Sequence, residues 1–262
     1  MASADLTHVG STAWVAPASS TVVAPTYPTG LQAGDAVYAV LHIKPNTAGV
    51  TTPTNWTLIG SATGGSGTQG AGTGATQMLL FRRLATAGLS GTQSFTITSG
   101  SSPVGFMRAY RASGVNLTFD ETFASWSVAT ASTTIGGTAN AQLALAARDD
   151  LNIVVGTSDD QSTTLTVTGV TATGATLGTL TRDPNTTVVN AQGNDISATA
   201  YRVPVTAGSS STAAVVTATS SSAETAMGVV FRVRALVDST PLDLARPLAQ
   251  GHRAAGLRSH YW

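Results

Sequence analysis

The chain contains no cysteine, so it has neither a disulfide framework nor a thiolate metal site. Charge is scarce as well: only 10 % of the 262 residues are Asp, Glu, Lys or Arg, with 13 of each sign and a formal net charge of zero. A typical soluble domain carries about 25 %. Lys44 is the only lysine. Nucleic acid is not an expected partner, because counterion release needs a dense Lys/Arg patch and none is present. No run reaches the roughly 18 consecutive apolar residues of a membrane span, and Met1–His8 lacks the basic region and apolar run of an export signal. A membrane partner is likewise not expected. Nor does any long window carry the apolar stripe of an amphipathic helix.

What remains is a chain that is 42 % hydrophobic and polar mainly through Thr, Ser, Asn, Gln and Gly. Thr and Val suit a pleated, half-buried surface, while Ser, Asn and Gly suit turns. Short strands are predicted at 36–43, 56–60, 76–84, 94–98 and 106–111, then at 143–146, 151–156, 163–167, 196–205, 214–219 and 227–233. Their lengths and turn spacing predict an all-β fold with a β-sandwich or jelly-roll-like body. Residues 60–75, rich in Gly, Ser and Thr, read as a hairpin tip.

The two halves align. Gly34-Asp35-Ala36-Val37 matches Asp149-Asp150-Leu151-Asn152, Phe81-Arg82 through Thr86-Ala87-Gly88 matches Tyr201-Arg202 through Thr206-Ala207-Gly208, and Phe106–Arg111 matches Met227–Arg232. Three blocks in one order with nearly constant offset predict a body made of two diverged repeats. The expected organisation is a first unit over 1–118, a junction over 119–139, a second unit over 140–235 and an extended C-terminal arm over 236–262. The Pro- and Gly-broken arm cannot bury its own apolar residues. It is therefore a candidate docking arm, with Leu242, Leu244, Arg246, Leu248, Arg253, Leu257, Arg258, Tyr261 and Trp262 as partner-binding residues.

Catalytic and cofactor motifs fail on their own mechanics. Gly65-Ser-Gly67-Thr-Gln-Gly70 satisfies G-x-G-x-x-G, but a pyrophosphate needs a helix to begin there and an acid about 20 residues later; a strand is predicted instead, and no acid stands between Asp35 and Asp120. There is no G-x-S-x-G. The histidines are His8, His42, His252 and His260, of which His42 reads as a partly buried strand residue. Asp149-Asp150 and Asp159-Asp160 are expected as solvated turns, with calcium as the alternative, since hard cations want clustered oxygens. No catalytic, metal or cofactor site is assigned. Trp126, Phe123 and Trp14 are candidates for glycan stacking or for sealing the junction between repeats, which leaves a carbohydrate-binding module as a second class of function.

Pro28-Thr-Gly-Leu-Gln-Ala-Gly34-Asp35-Ala-Val-Tyr-Ala-Val40, Pro53-Thr-Asn-Trp56, Met78-Leu-Leu-Phe-Arg-Arg83 and Met107-Arg-Ala-Tyr-Arg111 together resemble a β-rich module of tailed-bacteriophage structural proteins. The type is the minor tail or fibre protein of phages that infect actinobacteria. The resemblance covers residues 20–115 and, through the repeat, 140–235; the second copy lacks the Pro-x-x-Trp turn. It implies a non-enzymatic virion component, released by host lysis. Such a component would assemble with other virion proteins as a homo-oligomer in the particle, with a host-surface glycan as a candidate contact. A minor tail or tail-tip position comes first, and capsid decoration or a head fibre second.

Overall fold

The computed structural model describes residues 2–17, 21–67, 74–98, 101–114, 117–158, 164–190 and 196–237. Among them every regular element is a strand. The first half holds β1 (Ala2–Ser3), β2 (Asp5–Ser11), β3 (Val22–Val23), β4 (Ala36–Lys44), β5 (Val50–Thr51), β6 (Thr57–Gly64), β7 (Thr76–Leu84), β8 (Phe95–Ile97) and β9 (Ser102–Ser113). The second holds β10 (Leu117–Thr134), β11 (Gly137–Thr138), β12 (Leu143–Ala146), β13 (Asp150–Thr157), β14 (Leu165–Thr171), β15 (Ala175–Leu177), β16 (Thr181–Arg182), β17 (Val188–Asn190), β18 (Ile196–Thr212) and β19 (Val215–Val237). The all-β class and the sandwich character expected from composition are what the structure has.

In the first half, β2-β9-β4-β7-β6 form one antiparallel sheet and β3-β8-β5 a small second one. Alternation along β4 explains the layering. Ala36, Tyr38 and Val40 point to one side, while Val37, Ala39, Leu41 and Ile43 point to the other. The second set packs under Val23, Phe95 and Ile97 of the small sheet, together with Trp56 and Tyr27. Both faces of the central strand are thus dry, which is why β4 is apolar without a break from Ala36 to Leu41.

The second half repeats this plan. β13 lies between β18 and β19 as β4 lies between β7 and β9, with β10 outside β19 as β2 is outside β9. Residues 119–134 of the expected junction belong to β10, whose first part is an edge strand of this sheet. Leu151, Ile153 and Val155 face an outer cluster with Leu143, Leu165, Val216 and Trp126. Val154, Ala198, Ala200, Met227, Val229 and Phe231 face the first sheet instead and join Tyr38, Val40, Leu80, Phe106 and Tyr110 in one shared cluster. The two units each have a core of their own, and a third core lies between them.

Pairing also corrects the alignment of the halves. Ala36 stands opposite Leu84 and Tyr110, and Asp150 opposite Pro204 and Val233. Asp35 therefore corresponds to Asp149, one place before the sequence match, and Arg111 to Arg234, two places after it. The middle block was in register. Two adjacent aspartates and a loose "aromatic then Arg" pattern cannot fix alignment to the residue; a hydrogen-bond ladder does, because a one-place slip turns every side chain over.

With this register, Gly34 corresponds to Arg148, and both have left-handed backbone, φ 92 and φ 77. A Cβ on Gly34 would meet nothing within 4 Å, so Gly34→Ala isolates the backbone cost. We expect a loss of about 1 kcal/mol in urea denaturation of the full chain. An unchanged midpoint would show that this turn tolerates an L-residue freely.

Candidate functional site

The chemistry-bearing residues gather in three places: a clamp at the entrance of each central strand, a polar seam between the units, and an open cleft beside the first clamp.

In the clamps the chain turns sharply into β4 and β13. Asp35 accepts the Gln32 N–H at 2.7 Å and two Arg111 hydrogens at 2.8 and 2.7 Å, through Nε and Nη2. Asp149 accepts the Ala146 N–H at 2.7 Å and two Arg234 hydrogens, both at 2.7 Å. The main chain agrees too: the Ala85 and Val205 N–H groups donate to the Asp35 and Asp149 carbonyls. A fork of two parallel N–H donors matches a carboxylate's two oxygens, which only arginine supplies. These hydrogen bonds raise the pKa of both guanidinium groups, so each arginine stays charged.

The seam is anchored by Arg108. Its parity on β9 matches Phe106 and Tyr110, so it points into the shared core, where it is fully buried. Its Nε donates to Ser11 Oγ at 2.9 Å, and its terminal nitrogens donate to Asn152 Oδ1, the Tyr201 carbonyl and the Asp183 carbonyl. Asn152 Oδ1 also takes the Tyr110 hydroxyl at 2.8 Å. Burial without such partners would cost several kcal/mol. Here the guanidinium sews β9 to β13, β18 and the end of β16. Burial would raise the Asp183 carboxyl, but hydrogen bonds from His8 and Ser11 and the Arg108 charge overcome it and hold the pKa at about 2. Burial raises Asp150, partly offset by Arg202 and Arg108.

His8, Ser11 and Asp183 meet in this seam, but not as a nucleophile relay. His8 Nε2 lies 3.2 Å from Ser11 Oγ and 3.1 Å from Asp183 Oδ2, so serine and carboxylate share one ring nitrogen. A relay needs them on opposite nitrogens. The Ser11 hydroxyl instead donates to Asp183 at 2.8 Å. At the other end of the seam, Glu121 accepts Tyr38 at 2.6 Å and Arg82 at 2.9 Å on each oxygen. Burial, then the Glu121 charge, pushes the Tyr38 hydroxyl well up, so it remains a donor.

The cleft measures about 610 Å³ and is lined by Gln32, Gly34, Asp35, Arg82, Leu84, Arg111, Gly114, Leu117 and Phe119 among others. Its two guanidinium groups are already bonded to Asp35 and Glu121. Leu84, 52 % exposed, is its most exposed large apolar side chain. The cleft lies where β10 begins: Leu117, which lines it, stands opposite Val237 of β19.

The sequence-derived candidates fall elsewhere. Trp126 is buried in the second unit's own core, its indole donating to the Ile135 carbonyl at 3.0 Å while its ring covers Gly228 and Gly137. Trp14 is buried between the units against Phe106, with ring centroids 4.5 Å apart. Phe123 is half-buried and covers Gly60 of β6. The three rings thus form no common surface: Trp14 and Phe123 pack in the cluster between the units and Trp126 in the outer cluster of the second. Asp149 and Asp150 are not solvated turn residues: both are buried and ion-paired, to Arg234 and Arg202. The reason is that the turn tucks them under the edge of the sheet within reach of arginines on β18 and β19. His42 is fully rather than partly buried. Asp159-Asp160 and all nine arm candidates, Leu242 to Trp262, lie outside the described residues. A strand, β7, follows the Gly-rich stretch, as expected.

The seam escaped the sequence reading, although one signal was present. Arg108 stands at an inward position of a strand whose neighbours Phe106 and Tyr110 are apolar, and a charge there demands partners across the core. Asp183, Ser11 and Asn152 carry no such mark. Comparison with known proteins finds no matching family model, no matching curated protein and no matching solved structure.

Proposed function

We propose that this chain is a structural protein of a tailed-phage virion, a minor tail or tail-tip component that assembles with other virion proteins. The observation that carries this reading is how its arginines are spent. All nine described arginines make hydrogen bonds or ion pairs within the chain, in clamps, seam and turns. Charge in this protein builds rigidity, as a load-carrying assembly part requires. The residues that resemble the phage module serve the same end: Asp35 and Arg111 form the first clamp, and Trp56 donates to Gln93 beside Tyr27. Capsid decoration or a head fibre uses the same properties and differs only in position.

Mass spectrometry of density-purified particles from the source lysate is expected to detect the chain, and antibody labelling to place it at the tail. Label on the head would select the decoration reading. Absence of the chain from purified particles, combined with binding of the isolated protein to a glycan array, would replace the virion reading with the lectin one.

A further inference from the structure

The contacts between the two units are reciprocal. By strand register, Tyr38 corresponds to Asn152 and Arg108 to Phe231, each being the facing residue at the same ladder position. Across the joint, the Tyr38 ring lies 6.0 Å from that of Phe231, while Arg108 bonds Asn152. Exchange the units and one pair becomes the other. Likewise Ser11, opposite Arg108, corresponds to Phe123, opposite Phe231. Asp183, bonded through its N–H to the Ala200 carbonyl, corresponds to Gly60, paired with Leu80. Ser11 meets Asp183, and Phe123 meets Gly60.

Two contacts map onto themselves. His42 and Gly156 are equivalent positions six residues into β4 and β13, and a Cβ at Gly156 would overlap the His42 ring. Two places on, Lys44 Nζ donates to the carbonyl of its own counterpart, Ser158, at 2.8 Å. Self-paired contacts mark a two-fold axis, and reciprocal pairs on either side of it define an isologous interface.

We propose that the inner sheet of each unit is a self-complementary docking face whose partner is a second copy of the same unit, and that this chain is such a homodimer fused into one polypeptide. A two-fold axis explains a feature that packing alone does not. A single imidazole fits at the axis only because its counterpart has no side chain. The two halves have since divided the joint's chemistry: charge went to Arg108 on one side, and apolar bulk to Phe231 on the other.

The test exchanges the axial residues in the full chain. His42→Gly leaves a hole, and Gly156→His places two imidazoles at one point, so each lowers the urea midpoint, the second to the limit of folding. The double exchange H42G/G156H brings one imidazole back to the same space from the opposite sheet. It is expected to recover most of the wild-type midpoint, and the imidazole introduced on β13 is expected not to titrate by NMR above pH 4. A double variant no more stable than the worse single, or an introduced imidazole that titrates near 6.5, overturns the proposal. As an independent arm, a protease site introduced at residues 115–116 and cleaved is expected to leave both pieces co-eluting at full-length size. Pieces that separate under native conditions count against a docking interface.

Discussion

Arg234→Met is expected to cost about 3–5 kcal/mol, because it leaves the Asp149 carboxylate, whose side chain has no exposed surface, as an uncompensated buried charge. Only the Ala146 N–H would still serve it. The same change at the equivalent position, Arg111→Met, strands an equally buried carboxylate, Asp35. It is expected to cost less, about 1–2 kcal/mol, because Arg111 itself is a third exposed, so solvent screens the pair and reaches Asp35 once the guanidinium is gone. Adding Asp149→Asn to Arg234→Met removes the stranded charge yet keeps an oxygen for the Ala146 N–H. More than half the loss should return. Urea denaturation of the four proteins at neutral pH measures each term. Equal losses at Arg111 and Arg234 would show that burial does not set the strength of the clamps. The clamps hold the turn into each central strand, so a broken second clamp should loosen β13 first, with amide exchange rising at 150–157.

Acidification is expected to weaken the joint between the units, through His42. Burial, and then the Lys44 charge, lower its pKa from 6.5 to about 3, and neither ring nitrogen has a hydrogen-bond partner. Between these two values the unfolded chain binds a proton that the folded chain refuses, so stability falls as pH falls. The contribution is intact above about pH 6.5 and lost progressively towards pH 3, at up to about 1.4 kcal/mol per pH unit. Of the seam carboxylates, Asp183 acts below this window and Asp150 offsets part of the loss within it, so the histidine's share is read from the difference between wild type and a His42 variant. Asp183, held at about 2, loses its contribution only as pH drops below its ordinary 3.8. Asp150, raised by burial, takes its proton earlier in the folded state and so opposes acid unfolding. His42→Leu removes the titrating group and two unpartnered polar atoms together. It should flatten the pH dependence between 6.5 and 4 and raise stability at pH 7 by about 1–2 kcal/mol. Parallel wild-type and variant curves would refute the assignment.

Much of the scaffold was legible because its signals are local. The apolar run 36–41 marked a strand dry on both faces, Gly34-Asp35 marked the turn into it, and the repeat pointed to one plan used twice, whereas Thr-Ala-Gly follows β7 as a turn at 86–88 but lies within β18 at 206–208. Strand ends were less legible. The predicted strands 214–219 and 227–233 are parts of one strand, β19, since the Ser- and Thr-rich stretch between them reads as a turn until partner strands supply its hydrogen bonds. Trp126 illustrates the limit for sites. An aromatic ring looks the same in sequence whether it stacks on a ligand or on Gly228, and only the glycines brought beneath it decide.

The all-β class, the twofold use of one unit and the place of Asp35 are written locally in the chain, because periodicity, turn chemistry and an acid before a strand are encoded within a few residues of one another. Tertiary structure alone decided which arginine answers which aspartate, that Arg108 is a buried cross-link, and that a single histidine fills the axis between the units. Those are contacts between residues dozens of positions apart. Whether a polar group is paired, stranded or exposed depends on what the fold carries to its far side.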